Sequence, residues 1–543
     1  MSGLVKNDLV TGVIEGYTSE GLGVLRADGV PVFVPETARG DRCTVRIVKV
    51  LKNRAYGRLE QLLEPSLHRT ESKCPVFPRC GGCDFQHLFY EEELWLKRRR
   101  VEDALRRIGG FDVEVPPVEA SPQLAGYRNK AIFPVGKKDG RMVFGFYRSR
   151  SHDIVPIERC LIQDPRACAL ARAVCRWADL NHVEPYDETS DTGLLRSIFV
   201  RTGEQGSQLC LITRTGRVPD PGQLIGQCCG ACPDLRGILV SVNPERTNRL
   251  MGRTASVLWG EERLHDRLGT WGFALSPLSF YQVNHPQAEA LYREAVDMAG
   301  LDRSQTALDL YCGIGTITLH LAERAGRAIG AEIVPQAVED ARENARRAGM
   351  DNVRFLCADA GQAAQQLARE GLRPDVIVVD PPRKGIDGRT IDAILQMAPA
   401  RVVYIACDCA SLARDAAILC DKGGYGLTRV RAFDMFPRTA NVETVVLLRR
   451  ETIDHITVSL DVGKLSANAG AYATYPEIKA YVQGKFGLKV SSLYIAQVKE
   501  KYGIIERKNY NKPKSEDAKQ PQCPPEKEKA IAEALKHFGM IAG

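Results

Sequence analysis

Asp309-Leu-Tyr-Cys-Gly-Ile-Gly-Thr316 decides the fold. It closes the apolar run Ala307-Leu-Asp-Leu310 and opens a helical pattern. Gly313 and Gly315 let the backbone approach a ligand at that strand-to-helix turn. Further strands are expected at 328–331, 353–356, 376–379, 402–405, 427–433 and 445–448, alternating with helices. This alternation predicts an α/β fold, a doubly wound, Rossmann-like sheet over residues 266–450. Glu332 ends the second strand, about 20 residues behind the glycines, where a ribose-binding acid is expected. Asp359 follows the third strand, and Asp380 ends the fourth in Asp380-Pro-Pro-Arg-Lys-Gly385. With Asp309, all these acids fall at carboxyl ends of strands, the edge where open α/β sheets bind ligands. Acids in place of a full dinucleotide glycine fingerprint suit the cationic sulfonium of S-adenosylmethionine (SAM).

Outward from this domain, the 543-residue chain is too long for one ordinary core. Residues 1–62 alternate apolar and polar positions between glycine turns, at 9–14, 23–25, 31–34 and 43–48, which predicts a small OB-like β-barrel. Residues 63–265 read as a central mixed α+β domain without a clear parallel βαβ repeat. A basic amphipathic helix is expected over 94–108; a helix spanning 94–121 would pack on the catalytic domain. Residues 451–543 read as a small basic helical extension, with helices at 477–486, 491–501 and 526–538 and a linker at 509–525. Apolar content of 44% and charged content of 26% are those of a soluble globular chain. The net charge of +7 permits an anionic partner. Crowding of Lys97–Arg100, Arg106, Arg107, Arg128, Lys130, Lys137 and Lys138 favours one. No segment approaches the roughly 18 apolar residues of a membrane span, and no signal-peptide pattern is present. A cytoplasmic protein is expected, so its 17 cysteines read as thiols or metal ligands.

Two cysteine groups carry chemistry. Cys74, Cys80 and Cys83, with Cys160 far downstream, offer four thiolates, and their spacing leaves zinc and an iron–sulfur cluster both open. Cys228, Cys229 and Cys232 read as core or surface thiols. Cys407 ends the apolar run Arg401-Val-Val-Tyr-Ile-Ala-Cys407, where a methyl acceptor would sit. Most methyl acceptors attack SAM directly, so a cysteine there implies an acceptor too weak to do so, such as C5 of a pyrimidine.

The four cysteines, Phe280-Tyr-Gln-Val-Asn284, Asp309–Thr316, Asp380–Gly385, Cys407 and Phe436-Pro-Arg-Thr-Ala-Asn-Val-Glu443 together resemble the RNA uracil-5-methyltransferases. The resemblance spans about residues 8–450. Closest is the 23S rRNA branch, with an N-terminal TRAM barrel and a [4Fe–4S] cluster. The resemblance implies a cluster on Cys74, Cys80, Cys83 and Cys160. It also implies a SAM site lined by Gln282, Tyr311, Glu332 and Asp380, with Asp359 at the adenine end. Cys407 is then the nucleophile toward C6 of uracil and Glu443 the base that removes the C5 proton. The expected partner is 23S rRNA with a flipped-out uridine, bound by a monomer. A T-loop uridine of tRNA is the alternative, and a catalytically weakened RNA-binding or assembly factor a further one.

Two residues depart from the family pattern. Ala406-Cys-Asp-Cys409 stands where Ser-Cys-Asn-Pro is usual, and Asn441 where His is common. Asp408 is expected to raise the pKa of Cys407 by its charge, against a pocket expected to favour the thiolate, and Cys409 is a rival nucleophile. Phe280, Arg128 and Lys130 are candidates for holding displaced bases and phosphates.

Overall fold

The computed structural model describes residues 3–246, 250–450, 473–502, 504 and 522–541. The chain divides into two compact units, Met1–Thr452 and Ile453–Gly543. The first begins with β1 (Leu9–Val13), β2 (Gly16–Tyr17), β3 (Gly23–Ala27), β4 (Val30–Val34), β5 (Arg42–Leu51) and β6 (Arg54–Glu64), in the order β1-β5-β6-β4-β3-β2. Glu15 N donates to Val24 O, joining the chain beyond β1 to β3, so the sheet curls around Leu25, Val32, Val45 and Ile47. Sequence periodicity misses β6, because repeated register shifts against β5 interrupt the alternation of Arg54-Ala-Tyr-Gly-Arg-Leu-Glu-Gln-Leu-Leu-Glu64.

Next come α1 (Tyr90–Arg107), β7 (Lys130–Lys138), β8 (Arg141–Tyr147), β9 (Ile154–Pro156) and α2 (Pro165–Leu180). They are followed by β10 (Leu195–Gly203), β11 (Gly206–Thr213), α3 (Pro221–Ala231), β12 (Leu235–Val242) and β13 (Ser256–Gly260). The seven strands form one sheet in the order β13-β12-β11-β10-β7-β8-β9. All pairs are antiparallel except β11 with β12, which α3 connects as a single parallel crossover. The hairpin β14 (Leu264–Leu268) and β15 (Trp271–Leu275) leads to α4 (His285–Ala299).

The catalytic layer is β16 (Thr306–Leu310), α5 (Thr316–Arg324), β17 (Arg327–Glu332), α6 (Pro335–Arg347), β18 (Val353–Cys357) and α7 (Ala360–Arg369). It continues with β19 (Val376–Val379), α8 (Gly388–Met397), β20 (Arg401–Ala406), α9 (Cys409–Gly423), β21 (Tyr425–Phe433) and β22 (Glu443–Arg450). Strand order is β18-β17-β16-β19-β20-β22-β21. The first five strands are parallel, and β22 inserts antiparallel between β20 and β21. Val376-Ile-Val-Val379 is wholly buried, as a strand covered by helices on both faces must be. All seven strands expected over 266–450 are present.

Helix α1 packs on this layer, with Val101, Ala104 and Leu105 in one core with Leu308, Ile377 and Leu412. It is shorter than the 94–121 span expected from sequence. Gly109-Gly110 stops it, with Gly110 at φ 72°, and Pro116-Pro117 forbids resumption. The run Lys97–Arg100 does not form one solvated basic face: Arg99 is exposed and Lys97 is not. Lys97 is fully buried between Glu93 and Asp434, Arg98 and Arg99 pair with Glu102, and Arg100 donates to Ala440 O.

In the second unit, α10 (Tyr475–Phe486), α11 (Ser492–Lys501) and α12 (Pro525–His537) surround Ile478, Val482, Ile495, Val498, Ile531 and Leu535. Of the linker expected at 509–525, residues 509–521 lie outside the described residues. Among the described residues no helix is long and apolar enough to cross a membrane.

Candidate active site

The antiparallel β20–β22 ladder ends on the pair Ala406–Thr444. The next residue of one strand is Cys407 and the preceding residue of the other is Glu443, so the register itself sets thiol against carboxyl. Both stand at the carboxyl edge of β20, beside Asp380 and Arg383, whose charges act on each of them. Glu443 is 4% exposed. Burial, and then the Asp380 carboxylate, push its pKa up to about 8, while Arg383 pulls the other way. Burial likewise raises the Cys407 thiol to about 11, aided by Glu443 and Asp380 and opposed by Arg383.

These values correct two expectations. The pocket of the free protein favours the thiol rather than the thiolate, because burial and two carboxyl groups outweigh one guanidinium. Nor is Asp408 the carboxylate that raises Cys407. Its side chain turns away to cap α9, accepting from Ser411 N at 2.8 Å, with Arg100 at 3.8 Å on its other oxygen. Cys409 is 2% exposed and packs in the core, its Sγ 3.7 Å from Arg100 O.

The glycine turn forms the neighbouring wall. Tyr311, Gly313 and Gly315 have φ of 71°, 54° and 84°. A Cβ on Gly315 would meet the Phe355 ring at 3.0 Å, whereas one on Gly313 would meet nothing within 4 Å. Gly315 is thus needed for packing, and Gly313 borders open space where a ligand can lie. Glu332 holds the turn from β17, its Oε2 accepting from Gly313 N at 3.1 Å and its Oε1 from Val334 N at 2.8 Å. Asp309 and Asp380 each rise to about 7, both by burial, with Asp380 and Glu332 adding to the shift of Asp309. Thr318 donates to Asp309 Oδ2 at 2.6 Å, leaving buried Oδ1 without a partner. Such acids crowded at one edge favour a cationic ligand, which would let them ionise together.

Tyr311 and Asp359 line an adjoining cavity of about 580 Å³ with Pro382, Ile386, Asp387 and Arg414. Asp359 also caps α7, accepting from Gln362 N, so its carboxylate has a structural duty as well. Gln282 lies in the buried loop between β15 and α4, where its carbonyl accepts from Asn129 Nδ2 at 2.9 Å. Arg201, from the central sheet, donates to Ser276 O and Ser279 O in the same loop. Phe280, a candidate for holding a displaced base, is 60% exposed, with Lys130 Nζ 5.8 Å from its ring centroid. Burial lowers Lys130 to about 8.

Cys74, Cys80, Cys83 and Cys160 line a single cavity of about 170 Å³, with Arg128, Arg159 and Gln86 also in its wall. None is in a disulfide. Burial raises the thiols of Cys80, Cys83 and Cys160, and the neighbouring cysteines add to each shift. Among the described residues no three His, Cys, Asp or Glu side chains close up as a single-ion site does. The four thiols line one cavity, a donor set of the kind that a zinc ion or an iron–sulfur cluster uses. Cys228 and Cys232 are instead buried in the central core, Cys232 donating to Asp234 Oδ1 at 2.9 Å, and Cys229 packs partly buried against the same core.

Sequence reading passed over two residues. Arg383 has no role in the sequence reading of its motif, yet its charge acts on both Cys407 and Glu443. Its position three residues after Asp380 was the available signal. Lys97 looked like surface charge, and no local signal marks a lysine whose acidic partner is Asp434.

Comparison with known proteins agrees with this geometry. Residues 275–451 match the family model described as tRNA (uracil-5-)-methyltransferase. An uncharacterized RNA methyltransferase of Bacillus cereus is 42% identical over 448 residues, covering 82% of this chain and 97% of that protein. One from Halalkalibacterium halodurans is 43% identical over 446 residues, with the same coverages. The solved structure of Pyrococcus abyssi tRNA (uracil-54, C5)-methyltransferase with S-adenosyl-L-homocysteine is 28% identical, with a TM-score of 0.65. It covers 81% of this chain and 99% of that one. With a SAM-dependent methyltransferase domain that the family model matches, and relatives matched along nearly their whole length, the chain belongs to the RNA uracil-5-methyltransferase family.

Proposed function

We propose that the enzyme methylates C5 of a flipped-out uridine in 23S rRNA through a covalent bond between Cys407 and C6. The observation that carries this reading is the apposition of Cys407 and Glu443 at the end of the β20–β22 ladder. C5 of uracil is an unactivated sp2 carbon. Cys407 loses its proton to solvent, and the thiolate adds to C6, which makes C5 enolate-like and able to take up a methyl group. SAM, when bound, supplies that methyl as the electrophilic substituent of a sulfonium. Asp380, Glu332, Tyr311 and Gln282 bind it, with Asp359 toward the adenine. Glu443 then takes the C5 proton, the C5–H electrons reform the C5–C6 double bond, and Cys407 leaves as thiolate. A carboxyl whose pKa lies near 8 is well matched to gaining and losing a proton at neutral pH. Arg383 is the residue that stabilises the thiolate before attack.

Cys74, Cys80, Cys83 and Cys160 would hold a [4Fe–4S] cluster that orders the loop on which three of them lie. The reading divides the chain into a TRAM-type barrel (1–62), a central RNA-binding domain (63–265), the catalytic domain (266–450) and an accessory extension (451–543). One chain supplies every proposed site residue, so a monomer is the working unit, in the cytoplasm. A T-loop uridine of tRNA is the second reading, favoured by the likeness to the Pyrococcus abyssi tRNA enzyme.

The test is trapping on 5-fluorouracil RNA, in which the fluorine at C5 cannot be removed as a proton. Wild type with SAM should form a denaturant-stable adduct with a 23S rRNA fragment and not with tRNA. Cys407→Ala should form none, and Cys409→Ala should form it normally. An adduct with tRNA alone would replace the first reading by the second, and an adduct that survives Cys407→Ala would overturn the nucleophile.

A further inference from the structure

Glu443 is delivered by the loop 434–442, which joins β21 to β22 and is closed by the pair Phe433–Glu443. This loop is held by buried charge from another part of the chain. Lys97 Nζ, on α1, donates to Asp434 Oδ1 at 2.5 Å, to Glu93 Oε1 at 2.7 Å and to Phe436 O at 3.2 Å. Lys97, Glu93 and Asp434 are all 0% exposed. Tyr90, one turn before, donates to Asp434 Oδ2 at 2.8 Å.

At the centre of the loop, Arg438 has φ 71°, a left-handed conformation that is unfavourable for a non-glycine residue. Such a residue persists only where its surroundings fix it. Here they do so from both sides. Arg438 N donates to Glu93 Oε1 at 2.7 Å, and Arg438 O accepts from Asp84 N and Phe85 N at 2.8 and 3.1 Å. Asp84 Oδ2 accepts from Ala440 N at 2.9 Å, and Tyr127 donates to Pro437 O at 2.9 Å. A loop needing only to join two strands has no use for a fully buried lysine between two carboxylates. Replacing such a set by apolar residues is often neutral or stabilising, so a set that also bonds Phe436 O and Arg438 N serves to fix a conformation rather than to add stability.

We infer that Lys97, with Glu93, is a positioning residue for the reaction: it fixes the 434–440 loop so that the Glu443 carboxyl meets the C5 proton after methyl transfer. The inference rests on the assignment of Cys407 and Glu443 above. Cys407 directly follows β20, and the SAM residues lie beside β16 to β19 and in the β15–α4 loop, which meets the clamped loop where Asn284 Nδ2 donates to Met435 O at 3.2 Å, so the direct hold of Lys97 and Glu93 is on the loop that delivers Glu443. Disturbing the clamp therefore slows the last step more than the earlier ones.

The experiment compares wild type, Lys97→Met and Glu93→Gln on the RNA that wild type methylates, as unmodified RNA and as its 5-fluorouracil form. S-adenosylhomocysteine affinity is measured in parallel. The expected result is unchanged S-adenosylhomocysteine affinity and a normal 5-fluorouracil adduct in both variants. On unmodified RNA kcat falls at least about tenfold with KM for SAM unchanged, and a covalent protein–RNA adduct carrying the new methyl group accumulates. Such an adduct is the signature of blocked proton removal, which a general loss of structure does not give. Wild-type turnover in both variants overturns the inference. So does a fall in turnover with no accumulated adduct, or loss of S-adenosylhomocysteine binding in both, which would leave the clamp a role in folding alone. Absence of a 5-fluorouracil adduct from wild type itself would instead remove the underlying catalytic assignment.

Discussion

Cys407 and Glu443 share one electrostatic neighbourhood, and its two charged walls have opposite signs. The carboxyl of Glu443 raises the thiol pKa and the guanidinium of Arg383 lowers it. In the free enzyme, iodoacetamide alkylation of Cys407 at pH 8 should therefore speed up in Glu443→Gln and slow down in Arg383→Ala. Each change is expected at about threefold or more, since one pKa unit is tenfold in thiolate. Mass spectrometry of the Cys407 peptide checks it, and equal rates in all three proteins would refute the electrostatic account. Stability follows the same charges. The folded-state pKa of Glu443, near 8, lies above the carboxylate value of 4.5. Its protonated form is thus the one the fold favours: that stability is fully present below about pH 4.5 and lost as pH rises through about 8. Gln mimics the protonated form at every pH. Glu443→Gln should then melt close to wild type at pH 5 and above it at pH 9, by about 2 °C or more. A melting difference independent of pH would contradict a raised pKa.

Elements differ in how openly the sequence announces them. The strands of the catalytic sheet were legible because burial on both faces demands unbroken apolar runs, as in Val376-Ile-Val-Val379. The turn after β16 was legible from its glycines. Helix α1 was legible in its apolar face and misleading in its charges, because a lysine facing inward looks the same in sequence as one facing water. The Cys407–Glu443 pairing was legible only through topology, since it depends on β22 running antiparallel beside β20. The glycine turn yields a separable prediction. Gly315→Ala forces a Cβ to 3.0 Å from the Phe355 ring at φ 84°, so it should destabilise the protein by about 1–3 kcal/mol. Gly313→Ala has open space before it, so it should cost about 1 kcal/mol of backbone strain. Its larger effect should be on S-adenosylhomocysteine affinity, read by calorimetry. Equal effects of the two on stability would deny that only one of them faces the ligand.

Across the whole first unit, parts distant in sequence complete one catalytic edge. The cysteine loop reaches the catalytic loop through Asp84 and Phe85, and α1 reaches it through Glu93 and Lys97. If the four cysteines hold one cluster, anaerobically purified protein should contain iron and sulfide, and Cys160→Ser should lower both strongly, though Cys160 is far from the other three in sequence. Undiminished iron in that variant would exclude Cys160 as a ligand. Strand order adds a consequence in time. β22 is the last strand of its sheet to be synthesised, yet it lies between β20 and β21 rather than at the edge. While the chain is still on the ribosome, Cys407 already exists and Glu443 does not. Under the proposed assignment, a chain halted before β22 carries the nucleophile without the base that removes the C5 proton. Docking of β22 between β20 and β21 completes the sheet and the proposed catalytic pair together.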